Sequence, residues 1–255
     1  MELSFDILDY IFGFLRHDTE SLIACSRADF VFSPIVERHL YYHIIILVHT
    51  STDFETTGHG YCLKPTDLIK RLSETPHIVD HVRVLQITHS DYQSYPEMYE
   101  EITPILPKFS LLECFTLSSF LKWQGLCQSC QSLKKAVEDC LRLPMLQEVH
   151  IGIAEFPLSM LHNHANINCL SLSESPKTPE FNDSCLQLKS LTIEDFDYRP
   201  FSTWAKRHII GLHSLKCEYS NEKLVLDFLE ICSGILNNLD ITLQSPCEGL
   251  SLFWI

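Results

Sequence analysis

The chain has 255 residues, 45% hydrophobic and 20% charged, which is ordinary globular usage and excludes a disordered chain. Its 33 acidic residues against 19 basic ones leave a net charge of −14, the wrong sign for a surface built to neutralise phosphates, so neither nucleic acid nor an anionic membrane is expected as a partner. The eleven cysteines are odd in number and scattered through apolar stretches such as Ala24-Cys25 and Glu230-Ile231-Cys232, so they read as small buried hydrophobes in a reducing cytoplasmic or nuclear setting.

At the amino terminus, Glu2 and Asp6 stand where a signal peptide would be basic, and no signal peptide is expected. Phe5, Ile7, Leu8, Ile11, Phe12, Phe14 and Leu15 recur at three- and four-residue steps, as one broad helix face requires. Asp6 and Asp9 lie near its start, where the helix dipole favours carboxylates. Asp18 or Thr19 can cap a second helix carrying Leu22, Ile23 and Cys25. A third apolar run, Phe30, Val31, Phe32, Ile35, Val36 and Leu40, tolerates Pro34 only in a first helical turn. Helices this short bury too little to be stable alone and need a partner surface.

In its order of residues, this stretch resembles an F-box. The matching positions are Leu3, the run Asp6-Ile7-Leu8-Asp9-Tyr10-Ile11-Phe12-Gly13-Phe14-Leu15, the turn Arg16-His17-Asp18, and Leu22-Ile23-Ala24-Cys25-Ser26; Pro34 and Arg38-His39-Leu40 fit the variant of large F-box families. Departures are Ser4, where the family usually has Pro, and Arg27-Ala28-Asp29 followed by Phe32, where it usually has an apolar-apolar-Cys triplet and then Trp. The resemblance covers residues 3–40. It implies a helical module over 1–41 that docks a SKP-type adaptor, and through it a cullin, by helix-in-groove contacts of Leu3, Ile7, Leu8, Ile11, Phe12, Leu15 and Leu22.

Tyr42 to Val48 is a β-branched run and reads as a strand; within it Ile44 to Val48 is the longest apolar run near the start, far too short to span a bilayer. Residues 50–63, with Gly58-His59-Gly60, read as a loop, and Thr66 to Leu72 as a short helix with Leu68, Ile69 and Leu72 inward. Residues 42–80 are therefore expected to link the helical module to the larger carboxy-terminal part of the chain.

From residue 82 a three-position apolar pattern recurs: Val82-Leu85-Ile87, Leu112-Phe115-Leu117, Leu146-Val149-Ile151, Ile167-Leu170-Leu172, Leu188-Leu191-Ile193, Leu212-Leu215-Cys217 and Leu236-Leu239-Ile241. Such triplets are frequent by chance; the spacing of the central residues, 30, 34, 21, 21, 24 and 24, never overlapping, is the stronger signal. Helix-like sequence lies between copies at Leu133 to Leu141, Trp204 to Ile210 and Lys223 to Cys232. A strand and a return at this period resemble an irregular leucine-rich repeat over 81–255, although the family's Asn three residues past the last apolar is replaced by Ser90, Phe120, Ala154, Ser175, Phe196, Ser220 and Gln244. An ordinary α/β layer is the alternative. The expected fold class is thus α/β: a three-helix F-box, then an irregular leucine-rich-repeat-like solenoid with a curved parallel sheet. Seven strands would make roughly 30 Å of sheet.

The outward strand positions Gln86, Thr116, His150, Ser171, Thr192, Lys216 and Asp240 form a polar, mixed-charge row that suits a protein substrate better than a small molecule. Leu250-Ser251-Leu252-Phe253-Trp254-Ile255 is an apolar tail with no capping repeat, expected to fold over the sheet edge or to mark a shortened member of a longer family. No nucleophile elbow, phosphate loop or His-Glu-x-x-His motif occurs, so no enzyme activity and no cofactor is expected. Cys127-x-x-Cys130 lacks a second ligand pair; His39 with His43, and His162 with His164, lack a third ligand and read as polar surface histidines, so no metal is expected. The F-box resemblance, with repeats behind it, implies a non-catalytic substrate-recruiting subunit of an SCF-type ubiquitin ligase. The second reading, motivated by Arg27, Asp29 and Phe32, is a repeat scaffold unrelated to ubiquitin whose helices only cap the solenoid.

Overall fold

The structure, a computed structural model, describes residues 4–48, 60–89, 96–161, 164, 166–177, 186–194, 209–219, 236–243 and 250–251. It opens with α1 (Phe5–Phe14), α2 (Thr19–Ala28) and α3 (Ser33–Leu40). Asp18 caps α2 by accepting from the Ser21 N–H at 3.0 Å and the Ser21 hydroxyl at 2.6 Å. Pro34 sits in the first turn of α3, where its missing N–H costs nothing.

Next come β1 (His43–Leu47), β2 (Tyr61–Leu63) and α4 (Pro65–Glu74), then β3 (Val84–His89), α5 (Pro96–Ile102) and β4 (Cys114–Ser119). They are followed by α6 (Trp123–Ser129), α7 (Gln131–Leu141), β5 (Glu148–Gly152) and β6 (Cys169–Leu172). The remaining strands are β7 (Leu186–Gln187), β8 (Ser190–Glu194), β9 (Ile209–Ile210), β10 (Ser214–Tyr219), β11 (Asn238–Leu243) and β12 (Leu250–Ser251). Short 3₁₀ turns at Pro76–Asp80, Leu106–Lys108 and Leu158–Leu161 complete the described elements.

Ten strands form one sheet in the order β12-β11-β10-β8-β6-β5-β4-β3-β1-β2, parallel throughout except for β12, which lies antiparallel against β11; β7 and β9 pair separately. The chain is α/β, with a nine-strand parallel sheet and seven α-helices among the described residues. From β3 on, the sheet grows in chain order, and the seven apolar triplets are the reason. Leu85, Phe115, Val149, Leu170, Leu191, Leu215 and Leu239 are successive Cα partners in a single unbroken register. The first six triplets are buried, and the seventh packs partly buried against the same core. Each fully buried aliphatic side chain contributes roughly 1.5–3 kcal/mol, so a slip of one residue, which would turn the whole row outward, is heavily disfavoured.

The approach to each strand is also repeated. The carbonyls of Tyr42, Arg83, Glu113, Gln147, Asn168, Lys189 and His213 each accept two N–H groups, from the first residue of the following copy's strand and from the residue before it. This backbone ladder at the strand entrances supplies the continuity between copies that an asparagine ladder does not supply here.

Three expectations change. Residues 61–63, expected in a loop, form β2 because β1 has an open edge: Ile44, Ile45 and Ile46 pair with Tyr61, Cys62 and Leu63. Residues 42–80 are accordingly the start of the sheet and not a linker, since β1 also pairs with β3 from His43 to Leu47. Ile209 and Ile210, expected at the end of a helix, form β9 against β7. Leu133 to Leu141 lies within α7 as expected, and Leu250-Ser251 adds to the sheet edge. The rest of the 204–210 segment, the 223–232 segment and residues 252–255 lie outside the described residues.

α4, α5 and α7 pack in one row over the buried sheet face, joined to it by a continuous core that includes Leu68, Tyr99, Phe109, Leu133 and Val137. The opposite face of the central strands is half-exposed, in strict alternation with the buried one.

Candidate functional site

Two surfaces carry the residues singled out in the sequence. The first is α1. Because apolar residues occur on most of its circumference, the helix serves two sides at once. Leu8, Phe12 and Leu15 turn towards α3 and the core, where Phe12 is 5% exposed and meets Phe32 edge-on with ring centroids 5.5 Å apart. Ile7 and Ile11 face out at 48% and 42% exposure, on the same side of the helix as exposed Tyr10 and Phe14; Phe5, on the α3 side, and Phe30 and Val31, in the turn after α2, are exposed as well. Tyr10 and Phe14 stack edge-on at 4.8 Å, and the Arg38 guanidinium lies 5.3 Å from the Phe5 ring.

Of the seven expected adaptor contacts, Ile7 and Ile11 are thus accessible and Leu8 and Leu15 half-buried. Phe12 and Leu22, the latter 0% exposed, are core residues that no partner reaches, and Leu3 lies outside the described residues. The reason is helix geometry: Leu8, Phe12 and Leu15 follow the i, i+4, i+7 line that α3 covers. Tyr10 and Phe14 complete the outward patch, and Phe5, Phe30 and Val31 are further exposed apolar residues of the helical module. An apolar residue left over after the inward line has been assigned was their signal.

The histidines correct a second expectation. His39 is buried, not on the surface, and its Nε2 lies 3.1 Å from Asp9 Oδ1, tying α3 to α1. The Arg16 guanidinium sits 4.0 Å from the Tyr42 ring and ties the turn after α1 to the strand entrance. These groups line a polar cleft of about 380 Å³ between helices and sheet, shared with Arg38, Asp80, His81 and Arg83. Burial, with His77 and Arg38 nearby, holds His81 below its ordinary range.

The second surface is the half-exposed sheet face. Gln86, Thr116, His150, Ser171, Thr192, Lys216 and Asp240 are successive Cα partners, so the expected row exists as one line across seven strands. Gln86 Nε2 donates to Thr88 Oγ1 at 3.0 Å. Gly152 is needed here: a Cβ at that position would lie 2.9 Å from Ser173 Oγ and 3.1 Å from Ser118 Cβ. At the strand entrances a shallow polar groove of about 540 Å³ includes Gln147, Asn168, Lys189 and His213. Its openness to solvent suits polypeptide or water better than an enclosed small molecule.

One row nearer the strand entrances lie Val84, Cys114, Glu148, Cys169, Ser190, Ser214 and Asn238. Burial, then the Glu148 carboxylate, pushes the Cys114 thiol up to about 12 and raises Cys169 as well. A hydrogen bond from His150 at 3.0 Å holds Glu148 below the usual carboxylate range. Cys127 and Cys130 are not joined in a disulfide. Cys130 is buried beside Ser132 and Thr103, and burial pushes the half-buried Cys127 thiol up to about 11.

No family model, curated protein or solved structure matches this chain.

Proposed function

We propose that this chain is a non-catalytic substrate-recruiting subunit of an SCF-type ubiquitin ligase, with α1–α3 as an F-box that docks a SKP-type adaptor and the repeats holding a protein substrate. The observation that carries the reading is the apolar flank of α1: Ile7, Tyr10, Ile11 and Phe14 stay exposed on one side although the same helix contributes Phe12 to the core. A contiguous exposed apolar patch of this kind is characteristic of an interaction site. The polar row from Gln86 to Asp240 supports a protein as the second partner, because it offers many separated hydrogen-bonding groups along one line and no shared reactive chemistry.

In this reading the subunit works by proximity. It holds a substrate lysine near a ubiquitin-loaded enzyme and raises its effective concentration there, contributing no acid, base or nucleophile. The setting is cytoplasmic or nuclear.

The second reading, a repeat scaffold capped by its own helices, draws on the continuity of the core: Ile35, Val36, Leu40 and Tyr41 share one buried cluster with the first strands. Purification of the tagged chain from cells separates the two. Adaptor and cullin co-purifying with the wild type, and lost from Ile7→Asp/Ile11→Asp, is the ligase outcome. Their absence from the wild type is the scaffold outcome.

A further inference from the structure

We infer that Cys114, Glu148 and His150 form a Zn²⁺ site on the half-exposed face of the sheet, using three protein ligands and leaving a fourth position open towards solvent. Cys114 on β4 and Glu148 on β5 are Cα partners in the parallel ladder, and His150 lies two residues further along β5. Strand alternation therefore puts all three side chains on the same side of the sheet.

Their donor atoms, Sγ, a carboxylate oxygen and an imidazole nitrogen, all lie within 4.8 Å of one another. Around tetrahedral zinc, with bonds of about 2.0–2.3 Å, donors sit roughly 3.3–3.8 Å apart. Rotation of half-exposed side chains by about an ångström closes that difference. His150 Nε2 and Glu148 Oε1 are already 3.0 Å apart, a pair that the ion would replace with two bonds to itself.

The chemistry of the set selects the metal class. Thiolate, imidazole and carboxylate together suit zinc, whereas Mg²⁺ and Ca²⁺ take oxygen donors. Access is open, since the side chains of Glu148 and His150 are 47% and 37% exposed. Cys114 is in no disulfide. Cys169 is the next residue in the row, but its Sγ is directed to Asn168 Oδ1 at 3.1 Å, and we leave it out of the ligand set. The inference does not depend on the adaptor-docking reading.

The test uses the full chain stripped of metal with a chelator and then titrated with ZnCl₂ against a chromophoric zinc indicator. The wild type is expected to take up one equivalent. Cys114→Ser, Glu148→Gln and His150→Ala should each weaken uptake by on the order of tenfold or more, while Cys169→Ser and the pair Cys127→Ser/Cys130→Ser should leave it unchanged. Titration with Co²⁺ gives a second readout: a thiolate-to-cobalt absorption band in the wild type, absent from Cys114→Ser and kept in Cys169→Ser. Circular dichroism of each variant checks that the fold persists, as expected for side chains outside the core. A folded wild type that takes up no zinc overturns the inference. So does uptake undiminished in folded Cys114→Ser and His150→Ala, or uptake lost with Cys127→Ser/Cys130→Ser.

Discussion

Replacing Ile7 and Ile11 together by alanine probes the outward flank of α1 without touching the core. Each substitution removes three carbons beyond Cβ, worth about 0.8 kcal/mol apiece when fully buried, or roughly 2.4 kcal/mol per isoleucine. At 48% and 42% exposure, about half of that remains to be gained when a partner covers the helix. The pair should therefore cost about 2.2 kcal/mol of adaptor binding, on the order of 40-fold in Kd. The remainder falls on folding, about 1.3 kcal/mol per site. Isothermal titration with purified SKP-type adaptor measures the first quantity and thermal melting the second. Phe12→Ala is the contrast: at 5% exposure it should cost about 3–5 kcal/mol of stability. A folded Ile7→Ala/Ile11→Ala chain that binds the adaptor within threefold of the wild type would refute the docking face.

Other expectations concern the fold. Phe115 is fully buried at the centre of the sheet, and Phe115→Ala should lose about 3–5 kcal/mol, read as a lower denaturation midpoint in urea. Tyr99 is buried with its hydroxyl 2.9 Å from His89 Nδ1, and Tyr99→Phe should cost about 1–2 kcal/mol by the same measurement. Asp18 is held below its ordinary value of 3.8 by the Ser21 hydroxyl and N–H. A depressed carboxyl stabilises the fold above the unfolded value and loses that contribution as pH falls through the folded one. The difference in melting temperature between wild type and Asp18→Ala should thus be full at neutral pH and shrink as pH drops below about 4.

The strands were the most legible part of the sequence. The triplets from Val82 to Ile241 combine alternation with a repeating interval, and either alone would have been weak; together they fix the face, the register and the outward row from Gln86 to Asp240. β2 was hidden because Tyr61-Cys62-Leu63 is only three residues long and comes directly after Gly58-His59-Gly60, so its pairing depends on the open edge of β1, a tertiary fact. In α1 the apolar residues cover most of the circumference, and periodicity cannot say which side the chain keeps for itself, which hid the burial of Phe12; Leu22, on α2, is likewise spent on the core. The Cys114, Glu148 and His150 cluster could have been found. Reading the residue just before each central apolar as a column puts Cys114, Glu148 and Cys169 side by side, although 34 and 21 residues separate them in the chain.

Only Tyr41 and Tyr42 separate α3 from β1, and both are engaged: the Tyr41 ring meets Tyr61 at 5.5 Å, and Tyr42 lies under Arg16. The strand they lead into has a neighbour on either side. Those contacts, and the core shared by α3 and the first strands, join the helical tripod to the sheet as one arm. On the proposed ligase reading, whatever grips the tripod would set the angle at which cargo on the sheet is offered, and the reach to a distant reactive centre would be set by the length of that arm, not by slack in the chain.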